Sequence, residues 1–277
     1  MKTQPDKPLV SIITVCLNSE KHLEQTIQSV LGQTYDNIEY IIIDGGSTDK
    51  TLDIIKKYEE RINYWVSEPD KGIYDAMNKG IIFAKGEWVG IINSDDWYAP
   101  DTVRRVVIAA TEKPETGVFF GNLIICQTKN GRVTYHQRKN RINFFPLAVS
   151  SVHPTCFITR SVYKQFRFNP VFRFSGDYDL ISRLYSGGIQ FSHIDRTLAY
   201  FRSGGVSSQG FYRQIIEDYR IYSRHYFLKA SQLWFHKTNK FILLNLYPHF
   251  PEAFKNKYRT CKKKFRIRTN QSSYNGL

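Results

Sequence analysis

Cysteine is scarce. The chain of 277 residues holds four, Cys16, Cys126, Cys156 and Cys261, scattered and without a CxxC pair. That argues against a zinc site and a disulfide framework and fits a reducing cytosolic setting. Long apolar runs are missing too: no stretch approaches the ~20 residues that a membrane-spanning helix needs. The polar opening over residues 1–8 does not read as a secretory leader. Acids are scarce in one region only. Residues 201–277 carry 15 Lys and Arg against three acids, Glu217, Asp218 and Glu252, whereas the first 200 residues hold 24 basic and 22 acidic residues. The net charge of +14 therefore sits almost wholly in the tail, which points to a polyanionic partner there. No internal repeat is visible, and no low-complexity tract precedes the polar end over 269–277. What is present suffices for a buried core: 42% hydrophobic and 15% aromatic residues, in a length that suits one large domain or a domain with an appendage.

The first hundred residues alternate strand and helix signals. Residues 9–15 form a short apolar run, read as a buried strand. Asn18 or Ser19 can cap the next helix, whose apolar positions are Leu23, Ile27, Val30 and Leu31. A second strand spans 38–43, and Ser47 can cap a helix bearing Leu52, Ile55 and Tyr58. A third strand spans 62–66, followed by a helix marked by Ile73, Met77, Ile81 and Ala84; a fourth spans 88–92. Pro100 suits the first turn of a helix with Val103, Val106, Val107 and Ala110. This alternation predicts an α/β fold with a mostly parallel sheet and helices on both faces. In such sheets ligands lie beyond the C-terminal strand ends, and Asn18, Asp44, Glu68 and Asp95 all follow predicted strand ends. Beyond Gly117 the pattern turns to short strands, with Asn130-Gly131 as a hairpin turn, a short helix over 174–186 and a strand over 189–194. After Gly204-Gly205 the chain reads as helical, basic and aromatic.

The fourth strand ends in Asn93-Ser94-Asp95-Asp96-Trp97. Adjacent carboxylates repel, and a divalent cation is one way to relieve that repulsion. A metal at a strand end can grip a diphosphate. A solvated turn is the alternative, since Asn, Ser and Asp favour turns. Gly45 and Gly46 let a backbone approach a ligand closely. Asp75 and Asn78 share one helical face, with Ile73, Met77 and Ile81 on the neighbouring one.

Together these segments resemble the family 2 glycosyltransferases of the GT-A fold. The resemblance is carried by VSIITVCLN (10–18), IIIDGGSTDKT (41–51), EPDKGIYDAMNKG (68–80) and AKGEWVGIINSDDWY (84–98). HPTCFITR (153–160) and SGDYDL (175–180) are similar to the acceptor half of the same family. The likeness covers roughly residues 8–205 and is strongest to members that build bacterial surface polysaccharides (O-antigen, capsule, exopolysaccharide). It implies a Rossmann-like mixed sheet flanked by helices. The catalytic domain would span 1–205, with a nucleotide-sugar half over 8–100 and an acceptor half over 101–205, and the basic helical extension would span 206–277.

The implied reaction is an inverting transfer from a nucleotide-diphosphate sugar, UDP favoured by family frequency, to a saccharide or lipid-linked acceptor, with Mg²⁺ or Mn²⁺. Carried onto this chain, Asp96 is the metal ligand, and Asp95 holds the ribose or shares the metal. Val15, Asn18, Asp44, Gly46, Asp70, Lys71, Asn78, Asn93 and Ser94 line the donor. Asp177 is the general base, with His153 near the acceptor and Arg202 near the diphosphate. The chain departs from the family pattern at three acidic positions, occupied here by Gly45, Asn93 and Gly176.

The tail interleaves cations with Tyr212, Ile216, Tyr219, Trp234 and the run Phe241-Ile242-Leu243-Leu244. Such basic amphipathic segments suit an anionic membrane surface, which places the protein in the cytoplasm, peripheral on the inner face of the plasma membrane; a solvated basic face packed on the domain is the plainer alternative. Two other classes compete with a sugar transferase: a metal-dependent nucleotidyltransferase, and a non-catalytic nucleic-acid or polyanion binder suggested by the basic-aromatic tail. The latter does not account for carboxylates at strand ends, so no nucleic-acid partner is expected.

Overall fold

The computed structural model describes residues 7–129, 132–138, 153–204 and 211–225. The chain begins with β1 (Val10–Cys16), α1 (Leu23–Leu31), β2 (Ile38–Asp44), α2 (Thr51–Lys57), β3 (Tyr64–Ser67), α3 (Ile73–Phe83) and β4 (Trp88–Asn93). It continues with β5 (Trp97–Tyr98), α4 (Thr102–Glu112), β6 (Val118–Lys129), β7 (Arg132–Arg138) and β8 (Phe157–Thr159). Then follow α5 (Arg160–Gln165), α6 (Gly176–Ser186), β9 (Phe191–Arg202) and α7 (Phe211–His225).

All nine strands join one sheet in the order β3-β2-β1-β4-β8-β6-β9-β5, with β7 paired to β6. The sheet is parallel from β3 to β4. Beyond β4 it is mixed, because β8 runs antiparallel to both β4 and β6 while β9 runs parallel to β6. The parallel sheet expected from the alternation thus holds for the first four strands, and the mixed sheet implied by the resemblance describes the whole.

Strand residues alternate between two cores. Ile13, Val15, Ile41, Ile43, Val89 and Ile91 face one way and pack with Met77 and Ile81 of α3, Leu180 and Leu184 of α6 and Ile221 of α7. Val10, Ile12, Tyr40, Ile42 and Ile92 face the other way, against Leu23, Ile27 and Val30 of α1 and Val103 and Val106 of α4. Burial on both faces explains why these strands read as unbroken apolar runs.

The expected helix caps are not made. Neither α1, which starts after His22, nor α2, which starts after Lys50, has a side-chain cap. Asn18, Ser19 and Ser47 bond to neighbouring loops instead. The extension expected from residue 206 begins, in the structure, with α7 packed on the sheet body: Ile221 and Tyr222 are buried, and the compact unit runs to His225. Residues 226–277 and the Asn130-Gly131 turn lie outside the described residues, although Lys129 and Arg132 pair across β6 and β7 on either side of that turn. Among the described residues no helix is long and apolar enough to cross a membrane.

Candidate active site

Register builds the site. Cys16 pairs with Asp44, Asp44 with Ser67 and Val15 with Asn93, so β1, β2, β3 and β4 end level at one edge. The loops beyond that edge are tied together. Asn18, in the left-handed region at φ 48°, donates its N–H to Ser47 Oγ at 2.7 Å and accepts from the Thr48 N–H at 2.9 Å. Ser19 donates its N–H to Thr51 Oγ1 at 2.7 Å, and its hydroxyl meets that of Ser94 at 2.7 Å. Thr26 Oγ1 donates to the carbonyls of Ser94 at 3.0 Å and Asp96 at 2.7 Å. Of the expected donor residues, Asn18, Ser94 and Asp95 are thus brought together, with Val15 buried beneath them.

Asp44 has a different place from the one expected. It is fully enclosed, and its carboxylate accepts from the N–H groups of Gly46 at 3.1 Å and Ser47 at 2.8 Å, and from the hydroxyls of Ser47 and Ser67. Those bonds shape the turn and hold Gly46 at φ 86°, and they occupy both carboxylate oxygens. Asn78 is likewise used internally. Its amide donates to the Phe168 carbonyl at 2.9 Å and accepts from the Phe168 N–H at 3.0 Å, which pins the segment before α6 to α3. Lys71 is exposed, and its N–H binds Asp75 Oδ2 at 3.0 Å. Asp70 accepts from the Gly72 N–H at 2.7 Å.

The diacid is asymmetric. Asp95 is half-buried, whereas Asp96 is wholly buried. Burial, reinforced by the Asp95 charge, pushes the Asp96 carboxyl well above the ordinary carboxylate range, against the pull of Arg202. Burial also raises Asp95, opposed by its own amide and by the charges of His22 and Arg202. Arg202, at the end of β9, clasps the pair. Its N–H donates to Asp96 Oδ1 at 3.0 Å, its Nε to the Asp95 carbonyl at 3.3 Å and its Nη2 to Gln25 Oε1 at 2.7 Å, while the guanidinium lies 5.0 Å from the Trp97 ring centroid. Asp96 Oδ2 and Asn93 Oδ1 are buried with no hydrogen-bond partner. An orphaned carboxylate oxygen in so dry a place lacks a cation or a proton, so the residues present fit a divalent metal. Among the described residues there is no group of three or more His, Cys, Asp or Glu; the remaining ligands would come from diphosphate oxygens and water.

Asp177 lies in the first turn of α6. The residue is half-buried, yet its carboxyl is desolvated enough to titrate at about 7; the Tyr178 N–H and the Tyr74 hydroxyl pull against that rise, and the charge of Glu217 adds to it. Tyr74 donates to Asp177 Oδ1 at 3.4 Å, so the start of α3 connects the Asp70–Asp75 loop to Asp177. His153 is buried edge-on to Phe168 at 5.7 Å, and burial lowers its pKa to about 4. A neutral His153 still offers a hydrogen bond, and its Nε2 is buried without a partner.

Two glycines that replace family acids are sterically claimed. A Cβ at Gly45 would run into the Asp70 carboxylate, and one at Gly176 would lie 2.6 Å from Cε2 of Tyr74. Tyr74, Glu217, His22 and Gln25 were not singled out from sequence. Tyr74 stands inside a motif that was quoted; the other three carry no pattern that marks them.

An α/β sheet with these parts at its C-terminal edge has the GT-A fold. Residues 11–172 match the Glycosyl transferase family 2 model, and the chain belongs to that family. An uncharacterised glycosyltransferase of Rickettsia typhi is 32% identical over 190 residues, 65% of this chain and 59% of its own length. A PGL/p-HBAD biosynthesis glycosyltransferase of Mycobacterium bovis is 34% identical over 125 residues, 44% of this chain and 49% of its own length. The chain thus spans about half of the curated relatives it matches. S. aureus TarS 1–349 in complex with UDP-GlcNAc shares the fold at TM-score 0.60 and 20% identity, covering 86% of this chain and 74% of that one. So does mannosyltransferase PcManGT from Pyrobaculum calidifontis in complex with GDP-Man and Mn²⁺, at TM-score 0.62 and 16% identity, covering 98% and 85%.

Proposed function

We propose that this glycosyltransferase moves a sugar from a nucleotide-diphosphate donor, with inversion, onto a hydroxyl of a saccharide acceptor, often lipid-linked, in the assembly of a bacterial surface polysaccharide. The observation that carries this reading is the buried, orphaned carboxylate oxygen of Asp96 beside Asp95, clasped by Arg202 at a level parallel edge. Asp96, with Asp95 and the Asn93 carbonyl, would hold Mg²⁺ or Mn²⁺, which when bound neutralises charge on the diphosphate. Val15, Asn18, Gly46, Asp70, Lys71 and Ser94 line the donor; UDP is favoured. Arg202 adds a fixed positive charge where the leaving group gains its negative one.

Asp177 takes the proton of the attacking hydroxyl. A carboxylate titrating at about 7 is well matched to that task near neutral pH. The acceptor oxygen then bonds to the anomeric carbon as the sugar–phosphate bond breaks, and both electrons of that bond leave with the nucleoside diphosphate. A nucleotidyltransferase would have no use for a base at Asp177.

Thermal melts across sugar nucleotides, with and without Mn²⁺, test the reading: at 100 times its Kd, the true donor stabilises by about 2.7 kcal/mol. Absence of a shift with every sugar nucleotide overturns it.

The protein is proposed to sit in the cytoplasm, peripheral on an anionic membrane. Along α7, Tyr212, Ile216 and Tyr219 are exposed beside Arg213, Arg220 and Arg224. Flotation with anionic vesicles, retained by the full chain and reduced when residues 226–277 are removed, is the expected result; equal flotation of both assigns no membrane role to those residues.

A further inference from the structure

Three successive amides lead into α6, those of Arg173, Phe174 and Ser175. All three donate to one carboxylate from a distant helix. The Arg173 N–H meets Glu217 Oε1 at 2.9 Å, and the Phe174 and Ser175 N–H groups both meet Glu217 Oε2 at 2.9 Å. Bonds of this kind to an ionised acceptor are roughly twice as strong as neutral ones. Ser175 is the N-cap of α6 and Asp177 lies two residues on. Glu217 therefore sets where the helix starts, and with it the direction in which its first turn presents Asp177. Its own support is firm: one turn further along α7, Ile221 and Tyr222 are buried, Ile221 in the core shared with α6. Ser175 contributes no side-chain cap to α6, and the carboxylate of Glu217 instead fixes the amides that lead up to the helix, the N–H of Ser175 included.

We infer that Glu217 is a positioning residue for the general base, holding Asp177 in place and keeping a negative charge near it. This inference rests on the reading of Asp177 as that base. Asp179 shares the first turn of α6 and pairs with Arg183 at 2.8 Å, and titratable groups reach Asp177 from other elements. Tyr74 of α3 donates to it, the Cys156 thiol just before β8 feels its charge, and Glu217 of α7 opposes its ionisation. Of these groups on other elements, Glu217 is the anion, so neutralising it moves Asp177 in one direction only: toward easier loss of its proton.

The test uses the full chain and needs no ligand. The carboxyl of Asp177 is followed by carbon NMR across pH, its resonance identified as the one lost in Asp177→Asn. In the native protein it titrates near 7, and in Glu217→Gln the midpoint falls. In Glu217→Asp, which keeps the charge but shortens the arm, the midpoint stays closer to native. Turnover with whichever sugar nucleotide the melts identify drops about 10- to 100-fold in both variants at unchanged donor KM, as expected of a displaced catalytic group. If Asp177 titrates near 4 in the native protein, the base reading fails and the inference with it. If it titrates near 7 in the native protein and in Glu217→Gln alike, the base reading stands and the role of Glu217 is overturned. Should Glu217→Gln fail to fold, Glu217→Asp decides: native turnover in that variant overturns the inference.

Discussion

The proposed donor half and the proposed acceptor half of the site are put together in different ways. In the donor half, four parallel strands end level, and each strand end is followed within a few residues by its functional cluster. Proximity in space follows from proximity in sequence plus register. In the acceptor half, Asp177 depends on Tyr74, more than a hundred residues earlier, and on Glu217, forty residues later. Arg202 crosses between the two modes, carried by the long strand β9 to the diacid. A site built on register can be altered one loop at a time. A site built from remote segments has to be altered in matched pairs.

The largest expected effect tests whether both halves are needed. Asp177→Asn and Asp96→Ala each lower kcat by about 10²–10⁴-fold in a folded protein, as nucleoside diphosphate release reads directly. Native turnover in either variant removes that half from the chemistry. On the role proposed for Asp177, the acid limb of kcat falls through about 7, since only the ionised carboxylate accepts a proton.

The same carboxyl gives a stability effect of known sign. Asp177 binds its proton more tightly in the folded chain, at about 7, than in the unfolded one, where an aspartate titrates at about 3.9. Between those values the folded state holds more protons, so this group's contribution to stability falls as pH rises through that window. Asp177→Asn should therefore raise stability more at pH 8 than at pH 4; denaturant melts at both pH values check it, and an equal gain at each contradicts the assignment.

The glycines sharpen the contrast further. Gly176→Asp drives a side chain into the Tyr74 ring and should destabilise by about 1–3 kcal/mol, relieved in part by Tyr74→Ala. Gly45→Asp meets the ends of the Asp70 and Leu17 side chains rather than an aromatic ring and should cost less than Gly176→Asp. Equal losses in urea unfolding would place the two glycines in the same mechanical class.

How much of this was legible in the sequence follows the same division. The alternating strands and helices of residues 9–92, the buried runs and the Asn93–Asp96 cluster could all be read, because local hydrophobic period and strand-end position determine them. The caps expected from Asn18, Ser19 and Ser47 could not, since those groups bond between loops rather than within their own helices. Asp44 and Asn78 were sensible ligand candidates whose bonds turn inward. Arg202 was placed near the diphosphate from a glycine-flanked segment, and the structure brings it to Asp95 and Asp96. Glu217 sits in a stretch that reads as basic and amphipathic, and its partners are backbone amides, which leave no trace in residue identity.

The lacing of Asn18, Ser19, Ser47, Thr48 and Ser94 has one more outcome. Three loops joined in this way have little freedom left to lose, so the proposed donor would dock on a surface whose ordering entropy was already surrendered when the chain folded. Small changes in any one loop will then be felt in the other two.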